Sequence, residues 1–475
     1  MSISSALSNA LGGLAVSSKR AELVSANVAN VSTDGYARRE LSLEATSYST
    51  QGGVRVNGVT RHVNEQTLSE RRLAGAAQAH SSALLTHQSR METLVGDPTD
   101  ASSLSARLAD FEASIDAAIS RPDLLNRLED VAYSAAQVVS KISDMSQSAQ
   151  DARQDADTQV ASLVESLENN LKNVEELNRL IIAAEVNNRD ASSLFDQRQK
   201  LVDDISEIVP VHQMKRDFGE IALVSVGGAV LLDGSVVDLS FSGTPTIVPH
   251  MTVENGLLSQ VLINDRPAAA SLSGGALEAQ LTIRDELTVD LQEQLDVIAL
   301  DLSLRFQNPD LDQSIGPDDP AIFTDNGARV DENALVGLSG RLALNDLISH
   351  EGAFDISRLR GGLGAAFNGD AGDNSLLSKM KEALNEASTL PSGSGQSLFE
   401  MGSAFETHVA SDRLRLEESH SFQSARFAQL KENELVDGVD TDVEMQNLLL
   451  IEQSFAANAR VIQTIDDLMN TLLRM

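Results

Sequence analysis

The chain has 475 residues, 36 Lys and Arg against 70 Asp and Glu, a formal net charge of −34 and no cysteine. Its length is about three times that of a typical domain, so two to four units are expected, and its charge repels phosphate backbones and anionic membranes, which argues against nucleic acid and anionic lipid as partners. Without cysteine there is no disulfide framework, no thiolate chemistry and no Cys-ligated zinc or iron–sulfur site.

The first segment predicts a helix. Ile3, Leu7, Ala10, Leu14, Ser17, Ala21, Val24, Val28 and Val31 recur at alternating intervals of four and three, an apolar seam broken only by Ser17. Its small residues imply close approach to another helix. The first eighteen residues carry no Lys or Arg and are punctuated by Ser2, Ser4, Ser5, Ser8, Ser17 and Ser18, so they do not read as a cleavable secretory signal. No apolar run approaches the roughly 18 residues that span a bilayer, so no membrane insertion is expected. Asp34-Gly35 predicts a turn in which Gly35 takes a positive φ and redirects the chain at Tyr36. Residues 41 to 63, with Gly52-Gly53 and alternating Val54, Val56 and Val59, predict a short extended excursion.

From about Asn64 to Pro210 the pattern is helical, with breaks at Gly96-Asp97-Pro98, Arg121-Pro122-Asp123 and Asn187-Asn188-Arg189-Asp190. Val160, Val164, Leu167, Leu171, Val174 and Ile181, with Asn178 on the same seam, predict a long core-facing helix. After Pro210 the composition changes. Ile221, Leu223 and Val226 precede Gly227-Gly228, and Asp233-Gly234 separates two Val- and Leu-rich runs, so residues 215 to about 265 predict antiparallel β structure. A helix is expected from about Leu277 to Phe306, then loops and short elements to Ser375, then helix again near Leu376.

The strongest signal closes the chain. Leu448, Ile451, Phe455, Asn458, Ile462, Ile465, Met469 and Leu472 keep strict three-four spacing, with Asn458 alone polar. Thr441 and Glu444 predict a capping box at its start. Asp437, Asp440, Asp442 and Glu444 lack the spacing and central glycine of a calcium loop and read as acids favoured by a helix N-terminus. The expected fold is mainly α with an inserted β-containing domain. Residues 1–63 and 431–475 form a terminal helical assembly domain, 64–214 and 376–430 a helical bundle, and 215–375 an inserted outer domain.

Nothing points to catalysis, a cofactor or a metal. Gly362-Leu363-Gly364-Ala365-Ala366-Phe367 lacks the last glycine of a dinucleotide loop and its βαβ context. Walker, Gly-x-Ser-x-Gly and His-Glu-x-x-His motifs are missing from the sequence. His80 and His87 share a helical face but have no carboxylate at ligand spacing. What stands out instead is two amphipathic ends, each marginal alone and stable only when packed. Periodicity leaves open whether they pack on each other within one chain or on neighbouring copies.

Ser25-Ala26-Asn27-Val28-Ala29-Asn30, followed by Thr33-Asp34-Gly35-Tyr36-Ala37-Arg38-Arg39, resembles the N-terminal signature of bacterial flagellar rod, hook and hook-associated proteins. Gly438-Val439-Asp440, Glu444-Met445, Asn447-Leu448-Leu449 and Ala456-Ala457-Asn458-Ala459-Arg460-Val461-Ile462 resemble the matching C-terminal signature. With Leu194-Phe195-Asp196-Gln197-Arg198-Gln199-Lys200-Leu201-Val202, the chain resembles the hook-associated protein 1 family, subunits of the hook–filament junction. A hook or distal-rod subunit is the nearest alternative, opposed by the helical run from 64 to 210; a generic coiled-coil scaffold would not explain matched motifs at both ends.

The resemblance implies that the terminal helices pair as a coiled coil in an inner tube and that the chain forms a homo-oligomeric ring. It also implies contacts with hook protein and with the next hook-associated protein, an export chaperone on the C-terminal helix, and type III export to the extracellular flagellum without signal cleavage. The expected assembly interface is then Ile3, Leu7, Leu14, Val24, Asn27, Val28 and Asn30 with the C-terminal seam, and Gly35 is the turn. Asn27, Asn30 and Asn458 read as buried amides fixing helix register, with a local turn or cap as the other reading of Asn30. Arg38 and Arg39 either pair with acids of an adjacent subunit or are solvated.

Overall fold

The three-four spacing near the N-terminus does form a helix, α1 (Ile3–Ala29), which ends at Ala29, so that Val31 lies beyond it and is exposed. The computed structural model describes residues 3–45, 54–97, 99–349, 354–367, 369–390 and 395–474; Gly52-Gly53 and Pro98 of the expected turns lie outside them. After α1, strands β1 (Arg38–Ala45) and β2 (Val54–His62) pair antiparallel, with a bulge between Ser42 and Leu43. This is the extended excursion read from the alternating valines.

Four helices follow: α2 (Glu65–Val95), α3 (Leu104–Ser120), α4 (Leu125–Val186) and α5 (Ser192–Ile208). The gaps between them coincide with the expected breaks. At 1.5 Å per residue α4 is about 93 Å long, and no single core can cover it. Its N-terminal half, through Leu128, Val138, Ile142 and Met145, lies in one apolar cluster, and its C-terminal half, through Val160, Leu167, Leu171 and Val174, lies in a second.

The second cluster is closed by α5 and a four-stranded antiparallel meander, β3 (Val211–Lys215), β4 (Ile221–Ser225), β5 (Val230–Asp233) and β6 (Ser235–Val236). A separate small sheet of β7 (Leu239–Ser240), β8 (Leu262–Ile263) and β9 (Arg266–Pro267) packs on the same cluster. Asn178, the polar position on the α4 seam, is buried against this sheet. Its amide donates to the Ile221 carbonyl at 2.9 Å, and its Oδ1 accepts from Arg198 at 2.8 Å.

The remaining segments return to the first cluster. Helix α6 (Ala276–Thr282) runs through a π turn (Ile283–Leu287) into α7 (Thr288–Gln307), whose Leu291, Leu295, Ile298, Leu302 and Phe306 pack with α3 and α4. Short elements follow: β10 (Phe323–Asp325), α8 (Leu338–Arg341), β11 (Leu342–Leu344) and α9 (Arg358–Gly361). Phe111, Phe306 and Phe323 join them to the helices, with ring centroids 5.1 to 6.0 Å apart. Helices α10 (Ser375–Asn385) and α11 (Leu398–Val436) complete this core, and α11 then runs along α2; the last helix is α12 (Thr441–Arg474).

The fold is mainly α, with 63% of the described residues helical and a small inserted sheet region. The expected boundaries at 215 and 375 do not coincide with breaks in the core. The sheet packs on α4 and α5, while α7 and the short elements after it share a core with α3, α10 and α11. The change after Pro210 marks a change of secondary structure; where a core ends is decided by side chains far apart in sequence.

Candidate assembly surface

Three sequence motifs that are hundreds of residues apart meet at one corner. The corner begins at Asn27, buried at the end of α1. Its side-chain amide donates to the Arg39 carbonyl at 3.0 Å, and its Oδ1 accepts from the Arg39 N–H at 3.0 Å and the Tyr36 hydroxyl at 2.9 Å. Burial raises the Tyr36 pKa, which keeps that hydroxyl a donor. Asn27 therefore clamps α1 to β1 within the chain, in place of the helix-to-helix register role expected for it. Asn30 takes the local role: it donates to Ala26 O at 2.8 Å and accepts from the Thr33 hydroxyl at 3.3 Å.

Gly35 has φ +79°, and a Cβ there would lie 3.1 Å from the Asp196 carbonyl oxygen. Glycine is required twice over, by the left-handed backbone and by the approach of α5. On the α5 side, Asp196 in the second turn gathers the hairpin. Its carboxylate accepts from the Ala37 N–H at 3.3 Å, from Arg61 at 2.6 and 2.9 Å and from Arg39. The Phe195 ring lies between Arg61 and Arg198, whose guanidinium carbons are 5.6 and 5.0 Å from its centroid.

The C-terminal motif arrives from the other side. Glu444 is buried and accepts from Arg38 at 2.7 Å. The expected capping box of Thr441 and Glu444 is not formed. Asp440 caps α12 instead, its Oδ1 accepting from the N–H groups of Asp442 at 2.8 Å and Val443 at 3.1 Å. Arg38 and Arg39, expected on solvent or on a neighbour, are each paired within the chain.

From this corner α12 runs back antiparallel along α1. Val16 to Val24 line a cleft with Glu444 to Ser454, while Gly13 abuts Asn458, whose side chain would be 2.7 Å from a Cβ at that position. The small residues in α1 thus do allow close approach. Of the expected seam, Val24 and Ile465 are buried, and Ile3, Leu7, Leu14, Val28, Leu448, Ile451, Asn458 and Ile462 are half-buried. Asn458 donates to the Ser454 carbonyl of its own helix at 3.0 Å. Phe455, Met469 and Leu472 face solvent.

A second apolar stripe on α12 escaped the periodicity reading. Val443, Leu450, Val461, Leu468 and Leu472 are spaced 7, 11, 7 and 4, which places them within roughly 40° of one another and about 80° around the helix from the α1-facing side. All are exposed, Leu450 by 59% and Leu468 by 50%. Leu472 lies on both patterns, so the three-four seam accounts for it and not for the other four. Each such side chain gains about 1.5 to 3 kcal/mol when fully buried.

Among the described residues no cluster of three or more His, Asp or Glu could hold a metal ion. His80 does have a carboxylate neighbour, Glu278 at 3.6 Å, and His87 is buried.

A family model described as the flagellar hook-associated protein FlgK helical domain matches residues 88–309, and one described as the flagellar basal body rod FlgEFG protein C-terminal matches residues 437–475. The chain is 24% identical to flagellar hook-associated protein 1 of Bacillus subtilis, over 94% of this chain and 93% of that protein. It is 22% identical to the protein of that name in Escherichia coli over 100% of both, and 26% identical to the one in Salmonella typhimurium over 63% of this chain and 55% of that one. The solved flagellar hook junction protein FlgK from Burkholderia pseudomallei aligns with a TM-score of 0.45 and 19% identity, over 55% of this chain and 47% of that chain.

Proposed function

The chain belongs to the flagellar hook-associated protein 1 family and is a structural subunit of the flagellar junction, and from that premise we propose how it is built into the axial structure. The paired helices α1 and α12 pack side by side with those of neighbouring copies, and the second stripe of α12 supplies the contact. The observation that carries this reading is that α1 covers one face of α12 and leaves Val443, Leu450, Val461 and Leu468 exposed. Most of a protein helix's stability comes from packing its apolar side, and α12, held by α1 on one side in the free chain, gains a partner on its second stripe only in the assembled object.

The rest of this reading rests on the likeness to flagellar hook-associated protein 1. The role is structural and non-enzymatic, with hook protein on one side of the ring and the next hook-associated protein on the other. The subunit is exported to the outside of the cell through the flagellar type III apparatus, with its signal uncleaved. Before assembly an export chaperone covers the exposed stripe of α12, because an uncovered apolar stripe of this length invites aggregation. Among the described residues, no helix is long and apolar enough to cross a membrane.

The test is deletion in the parent organism followed by electron microscopy. Hooks without filaments are expected; cells without hooks would place the subunit earlier in the structure and reject the junction role. Complementation with Leu450→Asp is expected to leave the filamentless phenotype, while wild-type chain restores filaments.

A further inference from the structure

A cleft of about 910 Å³ opens between the β1–β2 hairpin, the α4–α5 connection and the β3–β4 hairpin. Seven of its lining residues are Lys or Arg and four are Asp or Glu, the reverse of the 36 to 70 balance in the whole chain. In a molecule of net charge −34 a basic cleft needs a physical reason.

Arg61, Arg72 and Arg198 line the cleft, and with Arg39 and Arg71, which share their carboxylate partners, they make five guanidiniums to three carboxylates. Asp196 serves Arg39 and Arg61, Asp203 serves Arg71 and Arg72, and Glu434 serves Arg71 again. Arg198 is 6% exposed and, among the described residues, has neutral partners: the Asn178 Oδ1 at 2.8 Å, the Gly219 carbonyl at 2.7 Å and the face of Phe195. Glu220 on the cleft wall acts on it as a compensating charge, outweighed by burial and by Arg61 and Arg72. Burial and the neighbouring Arg61 and Arg72 push the Arg198 guanidinium down to about 10. A buried cation without a carboxylate is costly, and an incoming anion removes that cost.

We propose that this cleft receives a carboxylate-bearing segment of a second copy of this chain. Two features favour a second copy. Exposed surface of another copy is predominantly acidic, which complements the cleft, and the cleft is walled by Lys19 of α1 and by β2, the elements that carry the assembly corner. The proposal rests on the assembly reading above and adds an electrostatic contact, at a distance from the apolar stripe of α12, that sets the angle between neighbouring subunits.

The test is site-specific photo-crosslinking of the full-length chain in assembled flagella, with the crosslinker at Asn57, an exposed residue of the cleft wall, or at Leu450 on the α12 stripe. The expected product at Asn57 joins two copies through an Asp- or Glu-rich peptide. Its yield should fall by at least roughly tenfold in Arg198→Met and recover in Arg198→Lys. Should Arg198→Met fold poorly by circular dichroism, the exposed double variant Arg189→Glu, Lys215→Glu should give the same loss. An Asn57 product with a different protein, or with a segment lacking acids, overturns the proposal. Coupling between copies at Leu450 with none at Asn57 overturns the cleft and keeps the assembly reading; coupling at neither position overturns both.

Discussion

Arg38 and Glu444, 406 positions apart in the chain, meet at 2.7 Å with the carboxylate buried. The pair ties the first strand after α1 to the first turn of α12, so the two ends of the chain are locked at their inner limits while their outer ends run free of the core. Glu444→Ala leaves Arg38 with only the longer, exposed contact to Glu40 at 3.8 Å. The expected loss in α12 docking is about 2 to 3 kcal/mol, below the full cost of breaking a buried pair because Arg38 keeps some access to water. Hydrogen exchange should show α12 amides losing protection while those of α2 to α5 keep theirs.

Asp196 holds two guanidiniums and a backbone N–H, so its removal exposes more than one broken contact. Asp196→Ala is expected to destabilise the protein by about 3 to 5 kcal/mol, the cost of stranding part-buried charges. A denaturant titration measures it, and a loss below about 1 kcal/mol would remove Asp196 from its role as organiser of the corner.

At Gly35 two effects can be separated. Gly35→Asn tolerates the positive φ but still brings a Cβ within 3.1 Å of Asp196 O, whereas Gly35→Ala suffers both penalties. Thermal melts should rank wild type above Asn and Asn above Ala, with about 1 kcal/mol between the two variants.

On α12, position decides the phenotype. Leu450→Asp and Leu468→Asp lie in solvent and should leave the melting curve unchanged while abolishing incorporation and motility. Ile465→Asp, which is buried, should weaken the α1–α12 pair in the isolated chain as well. Normal swimming by both exposed variants would reject the second stripe as an interface.

Burial, with a smaller contribution from Arg90, pushes the His87 imidazole down to about 4, against about 6.5 in the unfolded chain. Between those values the unfolded state binds more protons, so stability rises with pH there. The contribution of neutral His87 is complete above about pH 6.5 and is lost as pH falls toward 4, roughly 3 kcal/mol in all. His87→Gln should flatten the stability–pH curve in that window; an unchanged slope would show that other groups set it.

Much of the architecture was legible in local signals. The helix gaps at 96–103, 121–124 and 187–191 follow Gly, Pro and Asn runs that cannot continue a helix, and the sheet begins where alternation replaces three-four spacing. The positive φ of Gly35 is a demand its immediate neighbours announce. Asp440 rather than Thr441 caps α12, since both are capable caps and only the backbone geometry chooses between them. Glu444 stands within reach of a cap in sequence, but its partner Arg38 lies at the other end of the chain.

The order of residues, by itself, determined which segments are helices, where they stop, and that both ends are amphipathic, because these depend on spacing and on residues within a few positions of one another. Only the tertiary structure decided that α4 belongs to two cores, that α7 shares one of them with α3, and that Asn27, Asp196 and Glu444 close a single corner. It also decided which face of α12 is taken by α1 and which stays exposed. Those outcomes depend on contacts across hundreds of residues, where one apolar or charged position has many chemically equivalent partners and packing geometry selects among them.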